Sequence, residues 1–511
     1  MRKILLTVIV IIVTFTVKAQ EPADALRYSW TVPGASARIK ATGGAMGSLG
    51  GDITATFVNP AGLAFYRTGD FVFTPVYSFG NNKANYLGRN EKDKFKRFTW
   101  GTTGVVFGAA NNNGRHNLSW SIAYNRMADF NSNILYRGQN NKSSYSQKYL
   151  EEIQNGNIKD ANTVATGYPY GTSLAFNTFW IDTVAGGSSN NFQFQTRAPF
   201  GTGLLQQNTI STKGGIDEFA LGFAMSSNNR FYFGGSLGIP VLHFKRQTEY
   251  IEADATDNPN NHFNYAQLNE TLSTSGAGIN LKAGIIYKPI EYLRLGLAFH
   301  SPTLYQLTDS YSATITTDTE KYMQVQTQST SDLTDATSAF KYVLITPYRV
   351  IGSISYVLRE VEDITKQKGF ITADAEYINY KASSFQPDQA NNNDQSTKDY
   401  LKQLNTAIDN AYKGAFNFRV GGELKFTTLM VRLGGAFYGN PYKNINGESG
   451  NKINLSGGLG YRNKGFFIDL TYVHSLNKDI SYPYRLQYAP YYGARVNTSA
   501  GNIYLTAGFK I

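Results

Sequence analysis

The chain contains no cysteine in its 511 residues. Disulfide scaffolds and thiolate metal centres are therefore excluded, and so is the lipidated cysteine of a lipoprotein. Histidine is scarce: the five, at 116, 243, 262, 300 and 474, show none of the close spacing of metal ligands. Beyond the first twenty residues no apolar run is long enough for a membrane-spanning helix. Lys and Arg exceed Asp and Glu by 48 to 37, a formal charge of +11, but they are scattered along the chain. A nucleic-acid footprint needs them clustered, so no nucleic-acid partner is expected.

What is present begins with "MRKILLTVIVIIVTFTVKAQ". A basic start, an apolar run from Ile4 to Thr16 and small residues before Gln20 make residues 1–19 an expected signal peptide. Its loss removes Arg2, Lys3 and Lys18 and takes the charge from +11 to +8. The mature chain is rich in Gly (49), Tyr (35) and Phe (32), yet its mean hydropathy is only −0.32. An exported chain of that kind suits an all-β protein with one face toward lipid, the rival being a soluble β protein.

Period-2 alternation separates the two. The closing segment "NIYLTAGFKI" places Ile503, Leu505, Ala507, Phe509 and Ile511 on one face, and Tyr504, Thr506, Gly508 and Lys510 on the other. The same pattern recurs near 70–79, 97–110, 116–126, 215–226, 230–250, 271–288, 292–307, 342–358, 369–382, 415–426, 429–439, 451–462, 465–476 and 497–511, which makes fourteen expected strands. Connections after even-numbered strands are short ("NNNGR", "SNN", "PIE", "TT", "NK"), apart from one near 359–368. Those after odd-numbered strands are long, near 80–96, 127–214, 251–270, 308–341, 383–414, 440–450 and 477–496. Sorting loops by parity is what an up-and-down transmembrane barrel requires, with short turns on one side and long loops on the other. The expected fold is an all-β, antiparallel fourteen-stranded transmembrane barrel over 67–511 in a bacterial outer membrane, monomeric, with both termini periplasmic.

Alternation also sorts the charges. Arg294, Arg349, Asp374, Glu376, Arg419, Glu423, Lys425, Arg432 and Asp469 fall opposite their apolar neighbours. A charge facing mid-membrane lipid costs about 2–4 kcal/mol, so this face is the lumen. Cross-lumen pairing or holding a plug is the first reading of these groups; binding the acid head of a ligand is the second, for Arg349, Arg419 and Arg432. Helical spacing occurs in two loops, at Tyr149, Leu150 and Ile153 and at Leu401, Leu404, Ile408 and Tyr412, first as local packing stripes and second as an apolar landing surface outside the pore. "GGSLG" (234–238) matches the nucleophile-elbow pattern around Ser236 but lies inside a strand, where the required strand-to-helix turn is missing. "EADATDNPNN" (252–261) lacks the glycine and glutamate of a calcium loop. No catalytic activity, metal or cofactor is expected.

Between Gly43 and Tyr66 lies "GGAMGSLGGDITATFVNPAGLAFY". A phosphate loop needs G-x-x-x-x-G-K-[ST], but Leu49 stands where the second glycine belongs and no lysine follows before Tyr66. Asp52 is placed to cap a short helix through "ITATFV", which Asn59 ends because it precedes Pro60. The stretch "SARIKATGGAMGSLGGDITATFVNPAGLAFY", with Gly43-Gly44-Ala45, Asp52 and Asn59-Pro60-Ala61, resembles the N-terminal hatch of the FadL/TodX family of outer-membrane transporters. The resemblance implies a hatch over residues 20–66 that plugs the barrel, with Gly43, Gly44, Asp52, Asn59, Pro60 and Ala61 as plug and gating elements. It implies passive uptake of hydrophobic small molecules, most plausibly long-chain fatty acids, and release into membrane lipid at a kink in the third strand. The third strand, "HNLSWSIAYNRM", has no Gly or Pro to mark that kink. A general porin for polar solutes and a surface adhesin remain the other readings.

Overall fold

The structure is a computed structural model describing residues 21–32, 34–110, 116–184, 192–334, 339–358, 368–389, 392–443 and 450–511. The expected signal peptide and the connections at 111–115 and 359–367 lie outside the described residues. Fourteen antiparallel strands close into a barrel, several of them in two pieces. They are β1 (Asp70–Phe73, Pro75–Tyr86), β2 (Arg89–Trp100, Thr103–Ala110), β3 (Asn117–Asp129, Ser132–Asn140), β4 (Leu204–Ser227) and β5 (Phe231–Asp254). There follow β6 (Tyr265–Ile290), β7 (Leu293–His300, Leu304–Asp318), β8 (Ala339–Ile345, Arg349–Leu358), β9 (Gly369–Asn379, Ser384–Pro387) and β10 (Gly414–Phe426). The last four are β11 (Leu429–Tyr438), β12 (Asn451–Asn463), β13 (Phe466–Ser481) and β14 (Ala494–Lys510). Closure is made by β14, which pairs with β13 through Phe509↔Phe466 and with β1 through Phe509↔Phe71 and Ile503↔Tyr77. A closed sheet leaves no edge to be stranded in hydrocarbon, where an unpaired N–H or C=O finds no water.

Every expected strand has its counterpart, and the pleat decides which way the residues face. On β4, Phe219, Leu221, Phe223 and Met225 are exposed while the alternating Ala220 and Ala224 are buried. Such an outward row of large apolar groups is tolerable only against lipid. Strands β4, β5 and β6 run 24, 24 and 26 residues, more than twice the ~9–11 that cross a bilayer, so they project far beyond it.

One expected loop is corrected. Residues 80–96 are not a loop: β1 and β2 continue through them as a hairpin and turn only at Leu87–Gly88, where φ is +48° and +83°. The polar run had masked the alternation, because above the bilayer the outward face changes from aromatic to charged. The other odd-numbered connections are long, and two carry the expected helices. Between β3 and β4 lie α4 (Ser146–Asn155), α5 (Ala161–Gly167) and α6 (Thr172–Asn177); between β9 and β10 lies α7 (Gln395–Ala411). Tyr149 and Ile153 of α4, and Leu401, Leu404 and Ile408 of α7, are buried, as local packing stripes should be.

The loop after β3 is tied down by a buried carboxylate. Glu252 on β5 accepts hydrogen bonds from Tyr145 N (3.1 Å), Trp180 Nε1 (2.9 Å), Tyr250 OH (2.9 Å) and Ser144 Oγ. Glu252→Ala would leave buried donors unsatisfied at about 1–3 kcal/mol each. The expected result is faster protease cleavage within 141–203, with the barrel itself uncut.

Candidate functional site

The chain before β1 enters the barrel and fills it. It contains α1 (Pro22–Ser29), α2 (Ala37–Ala41), α3 (Ala55–Val58) and a 3₁₀ turn, Pro60–Phe65. Alanine and glycine are its commonest residues because the bore leaves little room beside the inward side chains. The wall makes room in turn, with inward glycines wherever the plug's backbone comes closest. A Cβ on Gly434 would fall 2.2 Å from Gly43 N, on Gly421 2.4 Å from Thr42 O, and on Gly296 2.2 Å from Gly47 O. On Gly234 it would fall 2.3 Å from Pro60 C, and on Gly108 2.5 Å from Tyr66 O. Gly43 and Gly44, at φ +71° and +84°, form the tight turn after α2.

Polar anchors fix the plug around its circumference. Thr471 Oγ1 donates to Ala37 O (2.7 Å), and Ala37 N donates to Thr506 Oγ1 (2.7 Å). Ser456 bridges Ala41 O (3.0 Å) and Gly43 N (3.2 Å). The Asp374 carboxylate accepts Met46 N (2.9 Å), Gly47 N (3.2 Å) and Ser353 Oγ (2.6 Å). His300 Nε2 meets Val58 O (2.8 Å), and Ser236 Oγ donates to Thr56 O (2.8 Å). Ser236 thus sits within β5, facing the plug. Lys40, on α2, is buried over the Tyr504 ring, and burial, with the Arg419 guanidinium nearby, pushes its ammonium down to about 8.

The remaining hatch residues fall at definite contacts. Asp52 accepts Thr54 N (2.9 Å) and Ser36 Oγ (2.8 Å), so it stabilises the approach to α3, which is shorter than expected and ends before Asn59. Asn59 is fully buried; its amide donates to Gly47 O (2.6 Å) and Ile285 O (3.3 Å), and its Oδ1 accepts Ala61 N (3.1 Å). Pro60 and Ala61 start the 3₁₀ turn against β5. A Cβ on Gly284 would stand 1.9 Å from Asn59 Oδ1. Gly284→Ala therefore displaces a side chain held by three partners, at about 1–3 kcal/mol for overpacking. Expected is a lowered urea midpoint for the barrel, recovered when Asn59→Gly is added.

The three arginines are partnered. Arg432, with no exposed side chain, contacts Glu423 (2.6 Å) and Asp469 (2.5 Å). Arg419 lies 3.0 Å from Glu376 and 3.7 Å from Asp374. Arg349 donates to Ser29 O (2.7 Å) and Thr31 Oγ1 (2.6 Å) of the plug and lies 3.9 Å from Glu376. Above it Leu26 and Tyr28 of α1 pack with Phe244, Tyr305, Tyr342, Phe385 and, on α7, Leu401 and Ile408 in one apolar cluster. The plug's first helix is thus the floor of an aromatic cluster roofed by α7.

One part of the wall is unzipped. The inner piece of β2, Thr103–Ala110, pairs with β3 from Tyr124 down to Asn117. The outer pieces, Arg89–Trp100 and Ser132–Asn140, pair only with β1 and β4, not with each other. At the start of this seam β3 bulges between Arg126 and Ala128. Here the plug takes the place of a neighbouring strand: Gly34 N donates to Arg126 O (2.7 Å) and Asn125 Nδ2 to Gly34 O (3.1 Å). Outward of that point Arg97 pairs with Asp129 (2.9 Å), and Asn82 donates to Ser132 Oγ (2.9 Å). The third strand's own residues give no sign of the distortion because its cause lies on its neighbours. Gly215 of β4 has no Cβ where Arg126 lies, since one would fall 2.3 Å from Nη2; a Cβ on Gly101 of β2 would fall 2.7 Å from Ala35 O.

No protein-family model matches the chain, and no curated protein matches it. Among solved structures, a FadL homologue from Pseudomonas aeruginosa aligns over 94% of this chain and 99% of its own, at 14% identity and a TM-score of 0.55. The chain has the FadL fold. A TodX monoaromatic hydrocarbon channel carrying a deltaS2 mutation aligns over 93% of this chain and 98% of its own, with 11% identity and a TM-score of 0.50. The Pseudomonas putida toluene transporter TodX has 12% identity, coverages of 94% and 99%, and a TM-score of 0.49. At such identities the FadL fold is shared as an architecture, and what passes through this barrel must be argued from its own residues.

Proposed function

We propose that this chain is a passive outer-membrane channel for hydrophobic molecules, long-chain fatty acids being the substrate class, with both termini in the periplasm. One observation carries the reading: the plug that stops the bore also bonds to β3 at Gly34, just where the β2–β3 ladder ends. A substrate entering from the α7 side would displace α1 from the aromatic cluster, with Arg349 beside it to take an acid head. Movement of α1 would pull on Gly34 and open the seam toward lipid. Such a route suits a solute that leaves water for an apolar phase. Residues 20–66 act as the hatch, with Gly43, Gly44, Asp52, Asn59, Pro60 and Ala61 as its turn and anchor points. The monoaromatic hydrocarbon channel of the same fold supports a hydrophobic substrate.

The test is uptake of a labelled long-chain fatty acid by cells with and without the protein, with toluene run in parallel. Equal fatty-acid uptake rejects that substrate. In a planar bilayer the plugged barrel should stay nearly silent; steady ionic conductance would favour a porin for polar solutes.

A further inference from the structure

The hairpin of β1 and β2 that replaces the expected loop at 80–96 carries its charges in an unusual order. On its outward face stand Lys83, Lys92, Lys94 and Lys96, all exposed, while Glu91 and Asp93 take the intervening, less exposed positions. Glu91 is engaged by Arg137 (2.6 Å) and Arg89 (3.4 Å). Lys83 and Lys92 are direct cross-strand partners, a like-charge pairing that is unfavourable without a counter-anion. None of the four lysines has a carboxylate partner among the described residues.

Register extends the patch sideways. Lys83 is opposite Asn497 on β14, which is opposite Lys478 on β13, and Arg495 is one step further out. Six cations thus share one outward surface across four strands. Phe79 stands opposite Lys96, the next row toward the membrane is Tyr472, Ile503, Tyr77 and Phe98, and beyond it comes Trp100. That is an aromatic girdle at a membrane interface. Counting from Phe466 along β13, about ten residues cross the bilayer, which ends the apolar band at Leu476 and makes Lys478 the next outward residue. On β6 and β7 the corresponding outward residues are uncharged, Thr271, Ser273 and Ser275 facing Ser312, Ser310 and Thr308. In the same rows Ser273 faces Lys245 on β5, itself opposite Lys213 on β4, and Thr308 faces Lys341 on β8.

We propose that this basic face binds the phosphate groups of a phosphorylated glycolipid in the outer leaflet. The proposal rests on the membrane orientation given under Proposed function but not on the transported substrate. Charge complementarity and continuity with the lipid-facing belt specify the occupant: an anionic headgroup whose acyl chains lie against Tyr77, Phe98 and Trp100. Lysines near an anionic membrane surface each add to such binding.

The test uses the purified full chain in detergent, native mass spectrometry, and lipid A with and without its phosphates. Wild type should retain phosphorylated lipid A at least about tenfold more tightly than the combined Lys83→Gln, Lys92→Gln, Lys94→Gln and Lys96→Gln variant. Lys213→Gln with Lys245→Gln, elsewhere on the rim, should bind as wild type does. Heat-modifiable gel mobility verifies that each variant is still a barrel. Equal binding by the fourfold variant, or equal binding of dephosphorylated lipid by wild type, overturns the proposal. On intact cells a single Lys92→Cys should react with a membrane-impermeant maleimide; no reaction places the patch in the periplasm and also overturns it. Absent fatty-acid flux alongside phosphate-dependent binding would reject the fatty-acid substrate alone.

Discussion

With Gly34→Cys and Asn125→Cys combined, the oxidised protein should carry hydrophobic substrate no faster than protein-free liposomes, and reduction should restore transport fully. A Cβ at position 34 would lie 3.4 Å from Asn125 Cγ, near where a sulfur on residue 125 would sit, and 2.8 Å from Arg126 O, so the two positions are within bridging reach once the backbone there gives slightly. The chain has no native cysteine to compete for the bond. The link would fasten the plug to β3 at the point where the β2–β3 ladder stops, without touching the α7 cluster. Binding of substrate to the outer face should survive while release is lost. Transport that is equal in the oxidised and reduced states would reject the seam as the exit.

The second large effect is on stability. Arg432→Ala should cost about 3–5 kcal/mol of barrel stability, read as a lowered urea midpoint in detergent or vesicles. Arg432 reaches from β11 to Glu423 on β10 and to Asp469 on β13, and Glu423 also meets Arg38 of the plug (3.3 Å). Gly460 lies between them because a Cβ there would fall 2.3 Å from Asp469 Oδ1. Removing the cation takes the contact partner from two buried carboxylates, with the plug's Arg38 remaining 3.3 Å from Glu423. The variant joining Arg432→Met, Glu423→Gln and Asp469→Asn should recover much of the loss, since both buried carboxylates are neutralised together with the cation between them. If Arg432→Ala unfolds at the wild-type midpoint, the network is not what holds β10, β11 and β13 to the plug.

The barrel was legible in the sequence because lipid on one side and a crowded lumen on the other impose a rule at every second residue. Phe416, Phe418 and Val420 against Arg419 and Glu423 state that rule within eight positions, and no distant partner is needed to read it. The hairpin at 80–96 escaped notice for the complementary reason: above the bilayer both faces are polar, so the alternation loses its contrast. The lumenal placement of Arg349, Arg419 and Arg432 was readable by parity. Their partners were not, because Arg432 finds Asp469 only across two intervening strand registers.

The sequence by itself determined the strand count and the inward and outward faces. Tertiary structure alone decided where the plug meets the wall, that the β2–β3 ladder stops at Tyr124, and that Gly34 bonds to β3 just where it ends. It alone brought Lys478 level with Lys83 and Lys92, although along the chain it stands nearly four hundred positions away from them. The reason is physical: side-chain direction in a strand repeats locally every two residues, whereas neighbours across a closed barrel are fixed by register and closure, which no local segment encodes.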